Sequence, residues 1–372
     1  MSTRTKKILK ITAVALAVVF VGLLIYNWFF KKTPTPPAPA TNEEFPIVQE
    51  GTPASTKERL IALTDETVLA STLATGNKIF YVSWDGSLMQ MNTDGSSKEK
   101  IASLPQERIG EINFSQNGQR VIVKQVLSSG TNRYLMYDTS SKAVKTLPAN
   151  TETAVASPDG TQIITVTPLG GIHQLILNND DLTKSQNLIT TKIPDLSLDW
   201  TNKNFVILKT KPSGLAYGLV YTLYLKTKKT QRILGNTYGL TANLSPSGKK
   251  LLFSQTDSSG RNLKLNAFSL DKKTETALDL FSLPEKCVWA QDDRTIYCAS
   301  INSGTDFLMP DDYYKRKLPL TNNDLVKINL DLGQTQKVIS GGFDPVNLTL
   351  SPDEAYLFFI NKIDGRLYRL TL

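Results

Sequence analysis

The chain has 372 residues, 40% hydrophobic and 20% charged, with a net charge of +8, one histidine and two cysteines. So few imidazoles and thiols leave no ligand set for a metal site, and nothing in the composition calls for a cofactor. Six of the eight excess positive charges (Arg4, Lys6, Lys7, Lys10, Lys31 and Lys32) precede the first acid, Glu43, so the remainder is nearly neutral and lacks the footprint of a nucleic-acid-binding fold.

Residues 1–10 form a basic tail with no acid, followed by an apolar run over 11–30. At about 1.5 Å per residue that run spans roughly 30 Å, one bilayer core. A secretory signal has an apolar region of only about 7–15 residues. This run is longer and ends in Tyr26-Asn27-Trp28-Phe29-Phe30, a sequence suited to a membrane interface. Ala38-Pro39-Ala40 resembles a cleavage site but lies well past it. The expectation is an uncleaved single-pass transmembrane helix with its N-terminus cytoplasmic, because more cations precede the span than follow it. The rest of the chain is then extracytoplasmic. Pro34, Pro36, Pro37, Pro39, Pro46 and Pro53 interrupt the polar segment 31–56, which reads as a semi-extended tether.

From residue 57 onward a turn recurs. Its clearest copy is Ser157-Pro158-Asp159-Gly160, leading into Gln162-Ile163-Ile164-Thr165. Proline sets φ near −65°, aspartate bonds its own backbone, glycine accepts positive φ, and β-branched residues restart an extended strand. Copies begin at Ser115, Ser245 and Ser351, and weaker ones surround Thr201, Ala290 and Ala74. The anchors 115, 157, 201, 245, 290 and 351 are separated by 42, 44, 44, 45 and 61 residues. A period of about 40–45 residues with several strands per unit is the signature of a β-propeller, and the last gap is an insertion.

In the third unit, strands are expected at 152–156, 162–167, 171–177 and 185–191. The same order fits 68–102, 109–145, 196–234, 238–280 and 286–339, giving six complete blades. The seventh unit, from residue 344, supplies three strands before the chain stops. Segment 57–63 has no blade of its own and is expected to close the ring as the outermost strand of the last blade, pinning both ends of the domain in one sheet. The fold class is thus all-β, a seven-bladed propeller over 57–372 preceded by one transmembrane helix.

The Ser-Pro-Asp-Gly turns followed by alternating apolar strands resemble the WD40-like (PD40) repeats of TolB-type propellers. Similarity to true WD40 proteins is weaker, since no Trp-Asp pair ends a third strand and Asp199-Trp200 lies in an inner strand in the opposite order. The resemblance implies a binding platform or scaffold at the cell envelope, whose partner would be an envelope protein or peptide.

Alignment of Asp292-Asp293 with the Asp-Gly turn places Cys287 opposite Cys298 on neighbouring strands. Opposed Cβ atoms about 4.5–5.5 Å apart suit a disulfide, as does an oxidising compartment, although two small buried thiols fit the same strand pair. His173 falls in the third strand of its blade. With no Gly-x-Ser-x-Gly elbow to serve, it reads as a hydrogen-bonded strand residue and not a catalytic base. No catalytic constellation is present. A carbohydrate-active or lyase-like enzyme would instead need paired carboxylates in the central channel.

One stretch exceeds what a scaffold requires. Between the second and third strands of the sixth unit the chain runs over 302–323 and contains Phe307, Tyr313, Tyr314, Lys315, Arg316 and Lys317. Connections longer than about 12–15 residues tend to carry function, and paired tyrosines beside cations are typical of interfaces. A loop that packs its own aromatics over the channel is the equal alternative. Tyr217 and Trp84 are expected to emerge on the same face.

Overall fold

The computed structural model describes residues 59–105, 108–302, 306–319 and 322–372. The expected basic tail, transmembrane helix and proline-rich tether lie outside these residues. No helix among the described residues is long and apolar enough to cross a membrane.

Seven four-stranded antiparallel sheets form the blades. Their innermost strands are Val68–Ala74, Arg108–Phe114, Thr153–Ala156, Ser197–Asn202, Ala242–Leu244, Cys287–Trp289 and Pro345–Leu350. The second strands are near-continuous apolar runs, such as Val121-Ile122-Val123, Val206-Ile207-Leu208 and Leu357-Phe358-Phe359-Ile360, all buried. They lack alternation because each is covered on both faces by a neighbouring blade, the condition that makes strands uniformly hydrophobic. Outer strands such as Val144–Thr146 and Glu275–Leu278 face solvent and are largely polar.

Each blade interface carries its own apolar cluster. Phe80, Val82, Val121 and Val123 join blades 1 and 2, while Ile79, Tyr81, Phe358 and Ile360 join blades 7 and 1. Cys287 and Cys298, paired across two strands and joined by a disulfide, belong to the cluster between blades 5 and 6. An eighth cluster (Leu263, Leu283, Ile301 and Met309) lies under the sixth-blade loop.

Ring closure follows the expectation. Leu60–Ala62 pairs antiparallel with Leu367–Thr371, in the register Leu60 to Leu370, as the outermost strand of blade 7. The Arg59 guanidinium donates to the Thr371 carbonyl at 2.9 and 3.1 Å, and Leu63 N donates to the Leu367 carbonyl at 2.8 Å. At the next blade boundary, Ser71 N and Oγ both donate to Asn347 Oδ1, at 2.8 and 2.9 Å.

Two expected boundaries need correction. Tyr238 does not open blade 5 but ends the outer strand of blade 4, Lys229–Tyr238, and the outer strand of blade 6 likewise reaches Phe343. Both are ten residues long and follow their neighbours through register shifts, at Gly218/Leu219 and Val220/Tyr221 in blade 4 and beside Leu325 in blade 6. Such bulges carry a strand past the point where a regular ladder would diverge.

Candidate functional site

The channel has two mouths of different construction. At the far mouth lie the repeated turns, the clearest of them built alike. Ser157 Oγ donates to Asp159 Oδ1 at 2.6 Å, Thr161 N donates to the same oxygen at 3.1 Å, and Gln162 N returns to Ser157 Oγ at 3.0 Å. The hydrogen bond from Ser157, joined by those from Thr161, holds the Asp159 carboxyl below the usual range. Ser351 and Asp353 repeat this arrangement, and Ser115 repeats it with Asn117 in the acid's place. The seven blades together enclose a cavity of about 510 Å³ there, with hydroxyl, amide, proline and aliphatic groups such as Thr72, Gln116, Pro158, Asn243 and Leu350. No charged side chain lines it.

The sixth-blade loop occupies the opposite mouth. Its described part forms one helical turn, α1 (Asp311–Tyr314), followed by Lys315 and Arg316. Phe307 and Tyr313 pack with Met309 against Leu263, Leu283 and Ile301, and Lys362 lies over the Tyr313 ring at 5.3 Å. Met309 N donates to the Gly260 carbonyl at 2.8 Å, and Gly214 N donates to Asp311 Oδ2 at 2.7 Å, so the loop is tied to blades 4 and 5. Asp312 accepts from Leu308 N at 2.9 Å and pairs with Lys317 at 3.2 Å; these contacts hold its carboxyl below the usual range despite the opposing effect of burial.

Tyr314 and Lys315 thus form a cross-piece separating two chambers. One, of about 470 Å³, is bounded by Ser197, Lys209, Leu240, Thr241, Glu285 and Asp311. The other, of about 870 Å³, is bounded by Leu69, Trp84, Pro105, Arg108 and Gly110, together with Arg316. The Tyr314 hydroxyl donates to Glu285 Oε1 at 2.6 Å, and Thr241 Oγ1 donates to Glu285 Oε2 at 3.0 Å. Tyr314 keeps 44% of its surface exposed, but that surface faces the chambers it divides. Burial first, and the Glu285 charge second, raise its hydroxyl well above the usual phenol range, so the group stays a donor at every physiological pH.

Beneath the cross-piece is a buried ion pair. Lys286, 1% exposed, places Nζ 2.6 Å from Asp344 Oδ1 and donates to the Pro345 carbonyl at 2.9 Å. Asn323 Nδ2 also donates to Asp344 Oδ1, at 2.7 Å. Burial pushes the lysine below its ordinary value, against the pull of the aspartate.

The expected residues are therefore divided. Tyr314, Lys315, Arg316 and Trp84 meet around the larger chamber. Phe307 and Tyr313 anchor the loop, and Lys317 turns to Asp312. Tyr217 is 58% exposed and packs on Tyr238 at 4.4 Å, lining neither chamber. His173 Nδ1 lies 2.6 Å from Glu152 Oε2, a satisfied strand residue as expected. Glu285, Lys209 and Arg108 are lining residues that sequence reasoning missed. Arg108 had a usable signal, being the only cation to open an inner strand, where other blades place Val68, Thr153, Ser197, Ala242, Cys287 and Pro345. Among the described residues, no three His, Cys, Asp or Glu side chains converge as a metal site would require.

No protein-family model matches the sequence, and no curated protein matches it. Solved structures do. An oligogalacturonate lyase in complex with manganese superposes with a TM-score of 0.60 and 13% identity, over 86% of this chain and 94% of that one. The tricorn protease gives 0.54 and 12% over 84% of this chain, which spans only 34% of that protein's length. TolB from Acinetobacter baumannii gives 0.47 and 14%, over 74% of this chain and 64% of its own. At these identities the likeness is one of fold. The architecture is that of a seven-bladed β-propeller.

Proposed function

We propose that the protein is a membrane-anchored, extracytoplasmic binding platform, tethered through the apolar run at 11–30 and engaging an envelope protein or peptide at the cross-piece mouth. The observation that carries this reading is the cross-piece itself. A segment outside the repeat, tied down by its own apolar cluster, brings Lys315 and Arg316 to a chamber of about 870 Å³ that Trp84 and Arg108 also line. A loop serving only to plug the channel would fill that volume.

Photo-crosslinking in intact membranes tests the reading. A photoreactive residue replacing Pro105, which lines the larger chamber, should yield a discrete adduct, whereas one replacing Thr201 at the far mouth should not. The reverse pattern would overturn the assignment. A C-terminal reporter active only outside the cytoplasm checks the topology, and a silent reporter would sink it.

A second reading rests on Glu285 and Asp311, which both border the smaller chamber as a carbohydrate-active site would require. Each already has structural partners: Tyr314 and Thr241 for Glu285, Gly214 N and Lys315 for Asp311. That reading needs turnover of an acidic oligosaccharide that disappears in Glu285→Gln.

A further inference from the structure

The larger chamber is chemically one-sided. Arg108 enters from the inner strand of blade 2, while Arg316 and Lys315 enter from the cross-piece. Neither the Arg108 nor the Arg316 guanidinium has a hydrogen-bond or ion-pair partner among the described residues, and Lys315 lies 3.8 Å from Asp311 with over half its side chain exposed. The acid on the same wall, Asp85, is already committed. It accepts from Ser83 Oγ at 2.5 Å and from Ser87 N and Oγ at 3.0 Å, and these bonds hold it ionised inside its turn. Glu111, next along the inner strand, accepts from Asn113 at 2.9 Å and does not line the chamber. Opposite the cations stands Trp84, 71% exposed. An indole left this open in a concave wall offers a flat surface for an apolar or aromatic group.

The backbone contributes as well. Leu69 and Gly110, both lining the chamber, fall where the inner strands of blades 1 and 2 slip register against their second strands. The extra residue of such a bulge is left out of the ladder. The inner edges of both strands also face the channel with no further strand beyond them. Main-chain groups at a sheet edge suit a ligand that has a main chain of its own.

We propose that this chamber binds an acidic peptide segment. Arg108 and Arg316 take carboxylates of successive or alternate residues, an adjacent apolar side chain lies on Trp84, and the peptide backbone runs past the bulges at Leu69 and Gly110. The proposal rests on the binding-platform reading and specifies its ligand. Guanidinium groups bond carboxylates in a two-pronged geometry, so arginines at two separate positions select for paired acids.

The test uses the full-length protein in nanodiscs against two peptide arrays of equal length. One array combines Asp or Glu with a single Phe, Tyr or Leu; the other replaces each acid by its amide. Peptides retained from the arrays are remeasured by fluorescence anisotropy. Binding is expected only to acidic peptides, weakening steeply with added salt because exposed charges are screened within about 10 Å at 0.1 M. Arg108→Gln and Arg316→Asn should each weaken it at least about tenfold, the equivalent of one charge-assisted contact. Both variants should melt with the wild type, and Lys184→Gln, in the turn before the outer strand of blade 3, should bind normally. Equal binding of acidic and amide peptides, lost in Trp84→Ala, would overturn the acid preference yet keep the platform. Binding by neither array, or capture only of an acidic polysaccharide supplied as competitor, would overturn the peptide proposal.

Discussion

The two mouths of the channel use opposite strategies. The far mouth is made by repetition: all seven blades contribute to it, the clearest turns hold their own carboxylates, Asp159 and Asp353, and the cavity has no charged lining. The cross-piece mouth is made by departures from the repeat: a loop found in one blade, an arginine where other inner strands begin with uncharged residues, and a buried Lys286–Asp344 pair between blades 6 and 7. Repetition determines the scaffold because each unit must bury the same faces against the next. Departures from it have no such duty, and they gather at one end.

The strongest way to break this comparison is at the buried pair. Lys286→Ala leaves Asp344 uncompensated in the interior and should cost about 3–5 kcal/mol in urea unfolding. A loss below about 1 kcal/mol would mean that water reaches the pair and that the departure end is more open than described. Next comes the disulfide, whose residues are separated by 11 in sequence. Cys298→Ala should cost about 3 kcal/mol by the loop-entropy estimate, seen as a lower urea midpoint that reductant does not lower further.

The far mouth can be probed through its glycines. At Gly118, φ is +72° and an added Cβ would sit 2.5 Å from Ala74 Cβ and 2.8 Å from the Phe80 ring. At Gly160, φ is +71° but the nearest atoms are 3.3 Å away. Gly118→Ala should therefore cost about 2–3 kcal/mol and Gly160→Ala about 1–2 kcal/mol, the difference being crowding between blades. Equal costs would show that the turns are not packed on their neighbours.

Much of the scaffold was legible in the sequence because its causes are local and periodic. Pro158, Asp159 and Gly160 force a turn whatever surrounds them, the spacing of such turns counts the blades, and the leftover strand at 57–63 could only go to the incomplete last blade. Cys287 and Cys298 were placed opposite each other by the same ruler. The site was legible only in part, since a loop's length announces an exception without saying where its side chains turn. Phe307 and Tyr313 look as suited to an interface as Tyr314 does, yet they pack on Leu283 and Ile301, which are remote in sequence order from the turn signals. Glu285 and Arg108 gained their positions only when the ring closed and brought blades 2 and 6 to one chamber system. The ends of the outer strands were misplaced because bulges at Gly218 and Leu325 have no period to betray them.

A small pH effect should appear at the repeated turns. Asp159 and Asp353 both have folded carboxyls below their ordinary range, through hydrogen bonds led by Ser157 and Ser351. A depressed carboxylate contributes stability above its unfolded value, near 3.9, and loses it as pH falls through the folded value. Acid below about pH 4 should thus weaken these turns, as it should the depressed Asp85 and Asp312 at the other mouth, and Asp159→Asn should flatten part of that slope in unfolding measured from pH 5 to 2. An unchanged slope would mean that the turn does not depend on the charge.

The smallest expected effect on stability is at Trp84, and it is the most informative. An indole 71% exposed and outside every interblade cluster contributes little to the fold, so Trp84→Ala should shift stability by no more than about 0.5 kcal/mol. If the cross-piece mouth is a binding site, the same change should abolish the adduct formed by a photoreactive residue at position 105, on the chamber wall. A variant that folds like the wild type and no longer captures its partner places function in the departures from the repeat. A variant that loses stability instead would make Trp84 part of the scaffold, and the division between the two mouths would fail at the residue where it is most exposed to test.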